Sequence, residues 1–246
     1  MLESVFSSIL NAQIAGTKLL AVLIDPDKHP LNRLAETTLH VCNLGGDFIF
    51  VGGSLLQSSF AGAVHIIKEN STIPVVIFPG NAMQISADAD AFLLLSLISG
   101  RNPDFLIGQH VAAAYSLWNS GLEIIPTSYI LIDGGTRTSV EYMSQTMPIP
   151  SMKPDIALAT AMAGAMLGHK LIYLEAGSGA SMPVPPATIR HIANHIQIPI
   201  IAGGGIRTTT QLSDAYTSGA TLAVVGTHLE EHPNALAELV NVKKKF

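Results

Sequence analysis

A (β/α)8 barrel is the fold that this sequence predicts, and three observations carry the prediction. Eight short apolar, β-branched-rich runs recur along the chain, helical patterns separate them, and no linker or low-complexity stretch divides the 246 residues. Strands that alternate with helices form parallel sheets, and eight such units close into a TIM barrel. A single domain spanning residues 1–246 is expected.

The chain opens on MLESVFSSILNAQIAG, which has an acidic residue and no basic segment, so it reads as an amphipathic helix rather than a signal peptide. The strand runs follow at LLAVLID (19–25), FIFVGGS (48–54), PVVIFPG (74–80), FLLLSLI (92–98), EIIPTSYILID (123–133), LIYLEAGS (171–178), IPIIAGGGI (198–206) and LAVVGTH (222–228). They are continuous rather than alternating, as expected where both faces of a parallel strand are covered. Only roughly ten residues, GNAMQISADAD, separate the third run from the fourth. That is too few for a crossover helix with its loops, so the barrel should lack a regular third helix. After the fifth run, DGGTRTSVEYMSQTMPIPSMKP precedes the helical DIALATAMAGAMLG, and a connection that long reads as a lid or binding loop. The helical DFLIGQHVAAAYSLW is apolar enough to supply a subunit interface, and the terminal Lys243 to Lys245 read as a solvated helix end.

Composition limits the function. With 13% charged residues, a net charge of −5 and a pI near 5.9, the chain lacks the clustered Lys and Arg that nucleic-acid backbones demand. The single cysteine, Cys42, falls on the apolar face of a helix; an internal disulfide is impossible and a reducing cytoplasm fits. No uncharged apolar window of about 18 residues is present, so a soluble protein is expected. A mean hydropathy of +0.40 is high for one and points to an apolar cavity, a subunit interface or membrane proximity.

The strand ends share a pattern. The first ends in Asp25-Pro26-Asp27-Lys28, the second in Gly52-Gly53-Ser54, the sixth in Glu175-Ala176-Gly177-Ser178-Gly179, the seventh in Gly203-Gly204-Gly205 and the eighth in Gly226-Thr227. In a barrel all of these meet on the C-terminal rim, where active sites sit. Glycines there let backbone N–H groups point inward, and three consecutive strand ends of this kind suit a phosphate. Glu175 is the anomaly, because a carboxylate at a strand end is costly to bury without a partner.

As a set, LIDPDK, FVGGS, IFPGN, SYILIDGGTRTSV, YLEAGSG, IAGGGIRT and VVGT resemble the geranylgeranylglyceryl phosphate synthase family, over nearly the whole chain from Asp25 to Thr227. The resemblance implies a barrel without its third helix. It further implies transfer of a polyprenyl group from its diphosphate to sn-glycerol 1-phosphate, with Mg²⁺ as cofactor and geranylgeranyl or heptaprenyl as the chain. The family's metal site matches Asp25 and Ser54, hard oxygen ligands suited to Mg²⁺. Asp25 would equally cap a helix with Pro26 at its first position, and the two roles are compatible. The family's glycerol phosphate site matches Tyr173, Leu174, Glu175, Ala176, Gly177, Ser178 and Gly179, then Gly204 and Gly205, then Gly226 and Thr227. On this reading Glu175 takes the proton of the attacking hydroxyl and Tyr173 positions substrate or stabilises positive charge. Pairing of Glu175 with a cation such as Lys28 is the plainer alternative. Lys28, in the matching motif, and Arg137, in the loop after the fifth strand, are candidates for the departing diphosphate; Arg207 reads as a helix-start residue.

A homo-oligomer, dimer or hexamer, a cytoplasmic location and transient membrane proximity complete the expectation. Two other classes use some of the same features. A sugar-phosphate isomerase or Schiff-base aldolase needs the phosphate loops but also a lysine within a strand, and no run has one. A non-catalytic isoprenoid-binding protein accounts for the hydropathy but has no use for Asp25, Ser54 and Glu175 on one rim. Phe92, Phe105 and Trp118 are candidates to limit an apolar groove, which should leave the rim beside GNAMQISADAD past Ala82 or Ala91.

Overall fold

Eight parallel strands close in sequence order: β1 (Leu19–Ile24), β2 (Phe48–Val51), β3 (Val75–Ile77), β4 (Ala91–Leu97), β5 (Glu123–Leu131), β6 (Leu171–Glu175), β7 (Ile200–Gly203) and β8 (Leu222–Val225), with β8 pairing back to β1. The structure is a computed structural model and describes residues 4–246. Each apolar run contains a strand, but pairing ends before the run does because the chain splays onto the rim. The eighth run passes from β8 directly into a helix at Thr227.

Alternation across the strands builds two cores. Along β6, Leu171 and Tyr173 point to the barrel axis and join Phe50, Leu93, Leu131 and Val224, whereas Ile172 and Leu174 join the layer beneath the helices. The amphipathic N-terminal segment forms α1 (Val5–Ala15), capped by Ser4. Val5 and Ile9 extend the axial core, and the amides of Val5 and Phe6 donate to Glu123 at 2.6 and 3.1 Å. The helix therefore covers the N-terminal end of the barrel, and the cavity opens at the other end.

The outer ring comprises α2 (Leu31–Leu44), α3 (Phe60–Asn70), α4 (Gln109–Trp118), α6 (Pro154–Met166), α7 (Pro186–Ala193), α8 (Thr209–Thr217) and α10 (Ala235–Lys243), while the short α5 (Ser139–Ser144) and α9 (Thr227–Glu231) sit on the rim. Residues 78–90, between β3 and β4, hold no helix, as the spacing predicts. A π-helical turn, Asp104–Gly108, leads into α4. The long connection after β5 folds back through an Ile132–Ile149 bridge and carries α5 over the mouth.

One reading of the C-terminus is corrected. Lys243 is not solvated: its ammonium lies 2.7 Å from the Asp47 carboxylate and donates to the Gly45 carbonyl. Asp47 also accepts the Leu20 amide, so a part-buried carboxylate at the foot of β2 recruits the first of the three lysines as its counterion. Lys244 and Lys245 are exposed. No helix among the described residues is long and apolar enough to cross a membrane.

Candidate active site

The open mouth leads to a cavity of about 740 Å³ that runs across the rim. Its polar end is walled by Ser178, Gly179, Gly204, Gly205, Gly226 and Thr227, its middle by Asp25, Lys28, Ser54 and Glu175, and its apolar arm by Gly80, Ala82, Phe92, Leu94 and Ala113. That arm occupies the gap where the third helix is missing.

Glu175 closes β6 on the barrel side and is only 5% exposed. Burial pushes its carboxyl from 4.5 up to about 7, against the opposing pull of hydrogen bonds from the Gly177 amide, 2.6 Å from Oε1, and the Tyr173 hydroxyl. Lys28 does not pair with it; the lysine is held instead by Glu230 at 3.0 Å. Glu175 thus has donors of its own chain on one side and the cavity on the other, which answers the anomaly seen in the sequence. The carboxylate fits only because glycines end and follow β7: a Cβ on Gly203 would fall 3.0 Å from Glu175 Oε2, and one on Gly204 2.4 Å from Oε1.

The loops after β6, β7 and β8 meet over this carboxylate. The Ser178 and Thr227 hydroxyls are 3.0 Å apart, joining the sixth and eighth strand ends. Gly179 and Gly205 have φ of +75° and +71°, and among the described residues their amides donate to no protein acceptor. Small residues with spare N–H groups beside a cavity form a cradle for an anion.

Below Glu175 the axis is aromatic. Phe78 stacks on Tyr173 with centroids 5.0 Å apart, and Tyr129 meets Tyr173 edge-on at 5.5 Å and Phe78 at 5.8 Å. All three rings line the cavity. They present π-faces to whatever carbon lies between the polar end and the apolar arm.

Asp25 directly follows β1 and caps a tight turn rather than a helix: its Oδ1 accepts the Asp27 amide at 3.1 Å and its carbonyl the Lys28 amide at 3.1 Å, while α2 begins only at Leu31. Desolvation raises the Asp25 carboxyl above the ordinary aspartate range. Asp25 and Ser54 share the cavity wall, and among the described residues no group of three or more His, Cys, Asp or Glu side chains surrounds a point where a metal could sit. A carboxylate and a hydroxyl suit a hard cation that takes its remaining oxygens from water and substrate.

Of the residues singled out in the sequence, the structure gathers Tyr173, Glu175, Ser178, Gly179, Gly204, Gly205, Gly226, Thr227, Lys28, Asp25 and Ser54 on one cavity. Leu174 faces the helices and is fully buried, and Ala176 lies in the same outer layer, so neither offers a side chain to the cavity. Gly177 contributes through its amide to Glu175. Arg137 reaches the wall; so does Arg207, which the sequence reads as a helix start but whose guanidinium donates to the Ser181 and Gly179 carbonyls at 3.3 and 3.4 Å. Phe92 and Phe105 line the cavity, whereas Trp118 is 89% exposed on the outside and cannot limit a groove. Ala82 lines the arm; Ala91 is buried on the barrel axis. Tyr129, Phe78 and Glu230 were not legible as site residues, although Tyr129 is the register partner of Tyr173 and shares its inward orientation.

The sequence profile of the PcrB family matches residues 12–243. The chain belongs to the PcrB family. It is similar to proteins named geranylgeranylglyceryl phosphate synthase: that of Spirosoma linguale is 47% identical over 95% of this chain and 94% of the relative, and that of Pyrococcus abyssi is 42% identical over 88% and 86%. A solved structure of (S)-3-O-geranylgeranylglyceryl phosphate synthase from Thermoplasma acidophilum, in complex with its substrate sn-glycerol-1-phosphate, superposes with a TM-score of 0.94 at 32% identity, covering 100% of both chains.

Proposed function

We propose that this PcrB-family chain is a prenyltransferase that joins a polyprenyl group, geranylgeranyl in the first instance, to sn-glycerol 1-phosphate through an ether bond and releases diphosphate. The observation that carries the reading is the continuity of one cavity from a glycine anion cradle, past Glu175, to an apolar arm in the helix gap. Support comes from the relatives of the same name and from the Thermoplasma complex with glycerol phosphate.

The geometry supports the following chemistry. Glycerol phosphate places its phosphate in the cradle at Ser178, Gly179, Gly205 and Thr227 and its free hydroxyl toward Glu175. That oxygen forms a bond to the allylic carbon as the carbon–oxygen bond to diphosphate breaks. The bonding pair leaves with diphosphate and the hydroxyl proton passes to Glu175, whose value of about 7 suits a base at neutral pH. Tyr173, Tyr129 and Phe78 stabilise positive charge on the allylic fragment through their faces. Lys28 meets negative charge on the leaving group. Asp25 and Ser54 would hold a magnesium ion, which when bound supplies charge neutralisation to the diphosphate. The prenyl tail lies in the arm past Ala82, because the packed axis of the barrel has no room for it.

The reading extends to a cytoplasmic homo-oligomer, dimer or hexamer, in keeping with the exposed Val111, Tyr115 and Trp118 of α4, and to transient contact with a membrane surface when the lipid product leaves. The test is a series of prenyl diphosphates of increasing length assayed with sn-glycerol 1-phosphate at millimolar Mg²⁺ and again with chelator. Turnover that rises to a defined chain length and stops on chelation is expected. Turnover of a sugar phosphate with no use of any prenyl diphosphate would overturn the reading.

A further inference from the structure

We propose that Glu230 is a positioning residue for Lys28, and that their ion pair ties the glycerol phosphate end of the cavity to the diphosphate end. The inference rests on the reading of the cavity given above. Lys28 closes a turn whose backbone is already fixed. Its amide donates to the Asp25 carbonyl, and the neighbouring Asp27 carboxylate accepts the amides of Gln57 and Ser58 at 2.6 and 2.9 Å, fastening the turn to the loop after β2. The four-carbon stem of a lysine nevertheless leaves its ammonium free to sweep. Glu230 Oε2 removes that freedom at 3.0 Å, whereas Asp25 Oδ2 stands at 4.0 Å.

Glu230 is itself well placed to act as an anchor. Its side chain is 14% exposed, its amide donates to the Gly226 carbonyl, and it lies one turn beyond Thr227, whose hydroxyl meets Ser178. The helix that contributes Thr227 to the anion cradle therefore also holds the ammonium that rises from the end of the neighbouring strand β1. A carboxylate in a cavity built for two phosphate-bearing substrates would repel both if it stood alone. Paired with Lys28 it is neutralised, and the ammonium, 41% exposed, keeps donors free for ligand oxygens. A pair this exposed contributes little to stability, so its effect should be read in kinetics rather than in melting.

The test uses the full chain, with KM measured separately for geranylgeranyl diphosphate and for sn-glycerol 1-phosphate, together with Tm. Lys28→Met should raise KM for the diphosphate roughly tenfold or more, the loss of a charged hydrogen bond. Glu230→Gln, of equal volume, should raise the same KM roughly three- to tenfold with Tm little changed. Glu230→Asp should retain part of the effect, and Glu230→Gln should add nothing on the Lys28→Met background. If Lys28→Met raises that KM but Glu230→Gln leaves it unchanged, lowers it, acts additively with Lys28→Met or changes only Tm, the positioning role is overturned. If Lys28→Met itself has no effect on that KM, the assignment of Lys28 to the diphosphate fails, and with it the proposed reading of that end of the cavity.

Discussion

Replacing Glu175 with glutamine keeps the shape of the side chain and removes its titration, so two independent consequences can be worked out. In catalysis, loss of the base should lower kcat by roughly 10²–10⁴-fold with a smaller change in KM for glycerol phosphate. Wild-type kcat/KM should fall as pH drops below about 7, where the carboxyl takes up its proton, and that limb should vanish in the variant. In stability, a carboxyl raised from 4.5 to about 7 holds its proton more tightly in the folded state than in the unfolded state. Its contribution is fully present below 4.5 and is lost as pH rises through 7. At about 1.4 kcal/mol per pH unit, the wild type should lose about 3 kcal/mol relative to Glu175→Gln between about pH 4 and about pH 8. For a chain of this size that is on the order of 6–12 °C in relative Tm. The assays are initial rates of diphosphate release across pH and thermal melts of both proteins. A loss confined to KM would make Glu175 a binding residue, and parallel Tm-versus-pH curves would refute the buried, proton-retaining carboxyl.

Three further outcomes are expected. Asp25→Asn should leave Tm near wild type and abolish most turnover at millimolar Mg²⁺; retained activity with unchanged metal dependence would remove Asp25 from the metal site. Gly204→Ala combines a φ of +78° with a Cβ at 2.4 Å from Glu175 Oε1, so it should displace the carboxylate and cut kcat while the barrel persists by circular dichroism. Ala82→Phe fills the apolar arm and should shift product toward shorter chains, each excluded methylene forfeiting about 0.8 kcal/mol of burial; an unchanged chain-length profile would place the tail elsewhere.

The strands and the missing helix were legible because both follow from local arithmetic: apolar runs mark covered parallel strands, and residues 80–90 are too few for a crossover helix. Glu175 stood out because a carboxylate at the end of a buried run needs a reason. What the sequence concealed depends on who meets whom across the barrel. Tyr129 joins Tyr173 only through the β5–β6 register, and Phe78, which continues the inward alternation of Val76 with its amide still bonded to the Val51 carbonyl, reaches Tyr173 only across the closed barrel. The fate of the lysines was hidden for the same reason, since Lys28 and Lys243 are engaged by Glu230 and Asp47, each about 200 residues away in the chain. Trp118 drew attention as a large aromatic on an apolar helix, but helical phase turns it outward while Ala113 faces the cavity.

The central claim is that one cavity carries out prenyl transfer to glycerol phosphate, and a single stoichiometric measurement tests it most directly. Purified protein is incubated with radiolabelled geranylgeranyl diphosphate, Mg²⁺ and sn-glycerol 1-phosphate, and in parallel with sn-glycerol 3-phosphate, while ether-linked lipid phosphate and diphosphate are both quantified. The account predicts equal amounts of the two products, marked preference for the 1-phosphate, and loss of both in Glu175→Gln. Diphosphate release without ether product, or equal product in Glu175→Gln and wild type, would contradict it.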